Sequence, residues 1–272
     1  MTLGYRGTLF ILAFDHRGSF QRKVFGIEGA PDPRETERIA DAKRVVFQGM
    51  QRALADGVVD VSTAGVLVDE QFGAQVAIDA KRAGMVLAMP AERSGQDEFD
   101  FEYGSEFAAH IEAFDPTFTK VLVRFNPEGD GAKNARQSAR LRELSQWLHG
   151  AERRFLLELL VPAEPHQLDA AGNDPLRFDG EVRPGLMKVT IAELQDGGIE
   201  PDVWKIEGID DAMRCAEIAE QCRAGGRDDV ACVVLGRGAD DAAVDVWLRA
   251  ARQVSGYQGF AIGRSIWWNP LK

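Results

Sequence analysis

The sequence holds only three cysteines, Cys215, Cys222 and Cys232, and no CxxC pair among them. An odd set without that spacing argues against a secreted disulfide framework and for reduced thiols in a cytoplasmic protein. Cys215 and Cys222 stand seven residues apart on one helix face, the placement of packing residues rather than a redox pair. Basic residues are also scarce: 32 Lys and Arg against 43 Asp and Glu give a net charge of −11. That balance excludes a nucleic-acid partner, which needs a basic surface, but not a small phosphorylated molecule held by a few converging cations. No apolar run approaches the length of a membrane span. The run at residues 9–14 is too short for a signal peptide, lacks an A-x-A cleavage pattern and passes straight into Asp15-His16-Arg17; it reads as a first strand. The four histidines, His16, His110, His149 and His166, are scattered without H-x-H or HExxH spacing, so no metal site is expected. The acidic stretch at 92–106 lacks calcium-loop spacing and reads as a solvated loop. A dinucleotide fingerprint is missing too: Gly236-Arg237-Gly238 follows a strand, but Asp241 stands where the third glycine belongs. No cofactor is expected.

What is present is an alternation of short β-branched apolar runs with longer amphipathic stretches. Strands are expected at 9–14, 65–68, 85–89, 119–124, 155–160, 203–206, 231–235 and 259–262. Helices are expected at 34–54, 133–148, 186–196, 210–222 and 240–254, with Gly57, Gly150 and Gly197 as C-terminal caps. Eight strands separated in this way predict a single (β/α)8 TIM barrel spanning residues 1–272 as one domain; no linker or composition break divides it. The segment 162–184, rich in Pro, Asp and Gly, is expected as a long loop at the catalytic end.

A barrel of this kind builds its site at the C-terminal ends of its strands, so the informative residues are the polar ones there. Lys205 sits late in the sixth strand, Glu158 in the fifth, and Lys120 and Arg124 in the fourth; Asp15 and Asp69 end the first two. A charge inside a strand buried on both faces is costly unless paired or used. Strand side chains alternate, so Lys120 shares a face with Arg124, and Lys205 with Glu207. Any one of these residues alone reads as a structural ion pair; four on three consecutive strands point to a site. A lysine made nucleophilic by burial and a neighbouring cation can attack a ketone to form an iminium, an electron sink that permits carbon–carbon cleavage. Glu158 would move the protons. After the last two strands, Gly236-Arg237-Gly238 and Gly263-Arg264 offer backbone N–H groups and guanidinium groups to a phosphate. His16, after Asp15, is a candidate substrate contact. Arg17, Arg93 and Arg124 are candidates for a second anion.

Six motifs in order carry a resemblance: Ala-Phe-Asp-His-Arg-Gly at 13–18, Leu-Val-Asp-Glu-Gln-Phe-Gly at 67–73, Lys-Val-Leu-Val-Arg-Phe at 120–125, Leu-Glu-Leu-Leu at 157–160, Trp-Lys-Ile-Glu-Gly at 204–208 and Gly-Arg-Ser-Ile-Trp at 263–267. The series resembles class I aldolases of the tagatose-1,6-bisphosphate aldolase type. It is more similar still to the aldolase-like domain fused to 5-dehydro-2-deoxygluconokinase in myo-inositol catabolism. The resemblance implies a barrel whose sixth-strand lysine, Lys205, forms a Schiff base. It implies Glu158 as acid/base, Asp15 and Lys120 as flanking polar residues, and Gly263 with Arg264 as the phosphate site. The implied reaction cleaves 2-deoxy-5-keto-gluconate 6-phosphate to dihydroxyacetone phosphate and malonate semialdehyde. Departures from the tagatose-type pattern, His16 for an expected glutamine and Glu70-Gln71 for Pro-Glu, leave the sugar open. Tagatose bisphosphate, fructose bisphosphate and a sulfonated ketose phosphate are the alternatives, and a non-catalytic sugar-phosphate-binding barrel is a third. Trp267 and Trp268 read as core packing or as part of a homo-oligomer interface.

Overall fold

The structure, a computed structural model, describes residues 2–271. Eight parallel strands close into a barrel in sequence order: β1 (Leu9–Ala13), β2 (Ala64–Leu67), β3 (Val86–Pro90), β4 (Phe118–Arg124), β5 (Arg154–Leu160), β6 (Val203–Glu207), β7 (Ala231–Leu235) and β8 (Tyr257–Ile262). The helices on the outside are α1 (Gly18–Phe25), α2 (Pro33–Ala55), α3 (Glu70–Arg82), α4 (Phe107–Phe114), α5 (Gly131–Gly150), α6 (Pro165–Ala170), α7 (Pro175–Arg177), α8 (Arg183–Asp196), α9 (Ala212–Arg223), α10 (Asp241–Ala251) and α11 (Arg264–Leu271). Every strand overlaps its expected position.

Local chemistry explains where the helices start. Asp32, Asp69, Asp130, Asp211 and Asp240 stand immediately before α2, α3, α5, α9 and α10, and each accepts a hydrogen bond from a backbone N–H of the first turn. An aspartate there satisfies donors that a helix leaves unpaired. At α2, Pro33 and a reciprocal bond from Glu35 complete a capping box. The expected cap at Gly197 is displaced by one residue: Gly198, not Gly197, takes the left-handed conformation (φ 74°). Gly150 is the last residue of α5, and Glu152 makes the left-handed turn after it (φ 55°).

Alternation divides the apolar residues into layers. Leu9, Ile11, Leu67, Phe118, Leu156, Val203 and Val233 fill the barrel interior below the site. The opposite strand faces pack on the helices in two larger clusters, one around Phe14, Phe20, Phe47 and Phe72, the other around Phe155, Leu157, Met187 and Trp204. Cys215, Cys222 and Cys232 are buried free thiols in the second of these. Trp267 is core, its indole N–H bonded to the Ala13 carbonyl at 2.9 Å. The barrel closes between β8 and β1, where the backbones approach so tightly that a Cβ on Gly259 (φ 142°) would lie 2.0 Å from the Leu9 carbonyl oxygen. Only glycine fits that seam.

Two expected loops are structured differently. Residues 162–184 hold α6, α7 and one turn of π-helix (Phe178–Val182) that runs directly into α8. The acidic stretch at 92–106 turns inward because Phe99 and Phe101 are buried, and a bridge between Glu92 and Phe101 folds it back on itself. Among the described residues, no helix is long and apolar enough to cross a membrane.

Candidate active site

At the C-terminal end of the barrel lies a cleft of about 630 Å³. Its floor is a buried charge cluster. In the β5–β6 pairing Glu158 lies opposite Lys205, and both side chains point inward in the layer above Leu156 and Val203. Lys205 Nζ donates to Glu158 Oε2 at 2.9 Å. Lys120 Nζ, one strand further, lies 3.1 Å from the same oxygen and donates to Asp15 Oδ2 at 2.9 Å and Glu92 Oε1 at 2.7 Å. All five side chains are at least nine-tenths buried.

Position sets the charge state of each group. Burial alone would pull Lys120 down, but Asp15, Glu158 and Glu92 outweigh it and hold the ammonium well above its usual range. Burial alone would lift Asp15 and Glu158, yet Lys120 leads the neighbouring cations that hold both below the usual carboxylate range. Glu92 goes the other way: burial outweighs Lys120 and Arg17, and its carboxyl is raised. His16, on the cleft wall, is lowered to about 4 by burial, with Arg264 and Lys43 opposing its protonation. It is neutral near pH 7.

Arg264, at the start of α11, and Gly263, Gly236 and Gly238 beside it line one end of the cleft. A Cβ at position 263 would lie 2.1 Å from the Ala13 carbonyl oxygen, so the β8–α11 turn passes as close to β1 as a backbone can. Arg264 has no carboxylate partner among the described residues; its one hydrogen bond, at 3.5 Å, is to the Arg237 carbonyl. Arg237 is differently placed. Its guanidinium pairs with Asp179 Oδ2 at 2.6 Å and Glu207 Oε1 at 3.2 Å, and Arg183 pairs with the same two carboxylates. This four-membered network ties the π-helical turn to β6 and the β7–α10 turn, and Glu207 also accepts from the Val161 backbone N–H. At the far side, Arg124 donates to the Gln96 carbonyl at 2.8 Å and has no carboxylate partner among the described residues. Arg17 is committed to Glu102 and the Glu92 carbonyl, and Arg93 lies 3.6 Å from Asp100.

The cleft therefore gathers Lys205, Glu158, Lys120, Asp15, His16, Arg17, Arg124, Gly236, Arg237, Gly238, Gly263 and Arg264. Asp69 is the exception. It is fully buried, caps α3 through Phe72 N–H and pairs with Lys43, whose ammonium also bonds the Phe14 and His16 carbonyls. Asp69 therefore fastens the β1–α1 turn from behind and does not line the cleft. Glu92, expected in a solvated loop, joins the cleft instead; it stands two residues beyond β3 as Asp15 stands two beyond β1.

A family description reading "Uncharacterized protein conserved in bacteria (DUF2090)" matches residues 4–272. The chain belongs to the DUF2090 family. No curated protein matches this DUF2090 sequence. Among solved structures, the DUF2090 barrel is similar to an archaeal fructose-1,6-bisphosphate aldolase with its catalytic lysine bound to a carbinolamine intermediate. The TM-score is 0.61 at 13% identity, covering 96% of this chain and 88% of that one. A second archaeal fructose 1,6-bisphosphate aldolase gives a TM-score of 0.60 at 14% identity, covering 96% and 87%. The fructose-bisphosphate aldolase of Slackia heliotrinireducens gives 0.58 at 15% identity, covering 96% and 75%. At such identities the likeness establishes the fold the DUF2090 chain shares with Schiff-base aldolases and nothing finer.

Proposed function

We propose that the protein is a class I aldolase that cleaves a phosphorylated keto-sugar through a Schiff base on Lys205. The observation that carries this reading is the buried Lys205–Glu158 pair, 2.9 Å apart, in a cleft whose rim offers an unpaired arginine and close-packed glycines. Glu158 can take the proton from Lys205, freeing the amine to attack the ketone carbon, and can return it to the carbinolamine hydroxyl so that water leaves. Lys120, kept charged by its carboxylates, supplies a fixed positive charge beside the oxygen that develops negative charge during addition. The iminium then accepts the electron pair of the breaking carbon–carbon bond.

For the substrate, the reading is 2-deoxy-5-keto-gluconate 6-phosphate, giving dihydroxyacetone phosphate and malonate semialdehyde. Support comes from ring geometry. Arg264 follows β8 and Arg124 ends β4, four strands away in a ring of eight, so two cleft cations without carboxylate partners among the described residues face each other across it. A substrate with phosphate at one end and carboxylate at the other fits that spacing. A ketose bisphosphate or a sulfonated ketose phosphate also carries two anions, and a substrate panel separates them.

The test is borohydride reduction in the presence of dihydroxyacetone phosphate, followed by mass spectrometry of the digest. A reduced adduct on Lys205, absent from Lys205→Met, is the expected result. No adduct on any lysine removes the class I mechanism.

A further inference from the structure

We propose that Glu92 is the general base that removes the proton from the substrate hydroxyl as the carbon–carbon bond breaks. The proposal rests on the Schiff-base reading above and extends it to a step that reading leaves without a residue. Glu158 is bonded to Lys205 and serves the nitrogen; cleavage also needs a base at the hydroxyl on the far side of the scissile bond.

Three observations converge on Glu92. First, its backbone is fixed: the bridge to Phe101 holds one side, and its carbonyl accepts from Arg17 Nη2 at 2.6 Å. Its carboxyl is therefore presented to the cleft from a rigid support. Second, its two oxygens differ. Oε1 accepts from Lys120 at 2.7 Å, whereas Oε2 is buried with no hydrogen-bond partner. A buried carboxylate oxygen left unsatisfied costs about 1–3 kcal/mol, and because Glu92 belongs to the cleft lining, a donor that arrives with a ligand can satisfy it. A substrate hydroxyl is such a donor.

Third, the charges do not balance without a mobile proton. Asp15, Glu92 and Glu158 face Lys120 and Lys205. Once Lys205 is a free amine, three ionised carboxylates would share Lys120 in a buried volume, since Arg17, the next cation beside Glu92, is already paired with Glu102. Asp15 and Glu158 are held ionised by their lysines, and burial raises Glu92 alone. A base raised toward neutrality is a stronger proton acceptor than its two neighbours, and such separation of acid strengths marks divided roles. The alternative, that Glu92 is only a counter-ion to Lys120, leaves Oε2 without a purpose, since Lys120 already has Asp15 and Glu158.

The step balances within the site. The hydroxyl O–H bond breaks and its proton passes to Glu92 Oε2. The O–H electron pair forms the aldehyde carbonyl, and the carbon–carbon bond breaks. Its electron pair moves to the iminium, which becomes a neutral enamine on Lys205. Glu92, now protonated, returns the proton to water before the next cycle.

Glu92→Gln tests this, because it keeps the shape and an oxygen for Lys120 while abolishing the base. Trapping with dihydroxyacetone phosphate and borohydride should still label Lys205 at the wild-type level. Condensation of dihydroxyacetone phosphate with aldehydes, malonate semialdehyde and glyceraldehyde 3-phosphate among them, should fall about 100-fold or more in kcat with KM within about threefold. In this direction Glu92 returns the proton to the aldehyde oxygen and must be protonated, so the alkaline limb of the kcat–pH profile should vanish from the residual activity. Glu92→Asp, which sets a base back by one methylene, should recover part of the rate. Retained turnover in Glu92→Gln with trapping intact overturns the assignment alone. Loss of trapping together with turnover makes Glu92 a support for the lysines and also overturns it. Absence of an adduct in the wild-type protein removes the Schiff-base reading and this step with it.

Discussion

Replacing Lys120 with methionine removes the cation that three carboxylates share and leaves a side chain of similar length. Contacts of 2.7, 2.9 and 3.1 Å are lost together. At an effective dielectric of about 20, each is worth roughly 5 kcal/mol of Coulomb attraction, much of it offset by the cost of burying the ions. What remains after deletion is dominated by uncompensated buried charge, and breaking a buried pair costs about 3–5 kcal/mol. Urea unfolding near pH 7 should show that loss as a midpoint lowered by roughly 1 M or more. The pH dependence is the sharper test. In the wild type, Asp15 and Glu158 have folded pKa values below their unfolded ones, so they contribute stability above the unfolded carboxylate pKa and lose it as pH falls. Without Lys120 their folded values move above the unfolded ones, and the sign reverses. Stability of the variant should then rise from pH 7 toward pH 5, with the deficit shrinking to less than about 2 kcal/mol as the carboxyls take up protons. A deficit under about 1 kcal/mol at pH 7, or one that does not change with pH, would refute this electrostatic origin of the cluster's stability.

Three further outcomes follow from individual contacts. His16 is lowered to about 4 by burial, so the unfolded chain binds its proton first as pH drops below 6.5. His16→Gln should remove up to about 3 kcal/mol of stability loss between pH 6.5 and 4 in a denaturation series, and an unchanged slope would count against a half-buried neutral imidazole. Arg264→Ala should weaken dihydroxyacetone phosphate binding about 10- to 150-fold by calorimetry, the worth of a charge-assisted contact of roughly 1.5–3 kcal/mol, while the thermal midpoint holds. Asp202, fully buried at the barrel base, accepts from the Gly4 and Phe155 backbone N–H groups at 2.8 Å each. Asp202→Ala should cost about 2–5 kcal/mol in equilibrium unfolding by orphaning two donors, without altering trapping at Lys205.

The strands were legible because each is a short apolar run set between longer amphipathic stretches. The same logic located Lys205, Glu158, Lys120 and Asp15, since a charge inside a doubly buried strand has few reasons to be there. A charge ending the second strand also pointed to Asp69, and there the reading failed. The competing demand was local: α3 needed a cap at that position, and Lys43, a residue of α2 distant in sequence, took the other oxygen. Glu92 failed in the opposite sense. Its acidic surroundings suggested solvent, but the two phenylalanines that follow draw the segment inward, a long-range packing effect that charge counting does not register. Arg237 shows a third limit. Its glycine neighbours matched an anion-binding turn, yet Asp179 and Glu207 already engage the guanidinium from elements remote in sequence.

The seam between β8 and β1 bears on how the nascent chain is handled. Until Tyr257–Ile262 has emerged from the ribosome, β1 and β7 are open edges with unpaired backbone groups, the form of sheet most prone to pair with another chain. The same last strand leads into Gly263 and Arg264, and Trp267 just beyond it anchors to Ala13. A truncated translation product therefore lacks the glycine–arginine end of the cleft and the closure that hides its edges at the same time. Stalled synthesis yields an aggregation hazard for proteolytic clearance and no partly built cleft.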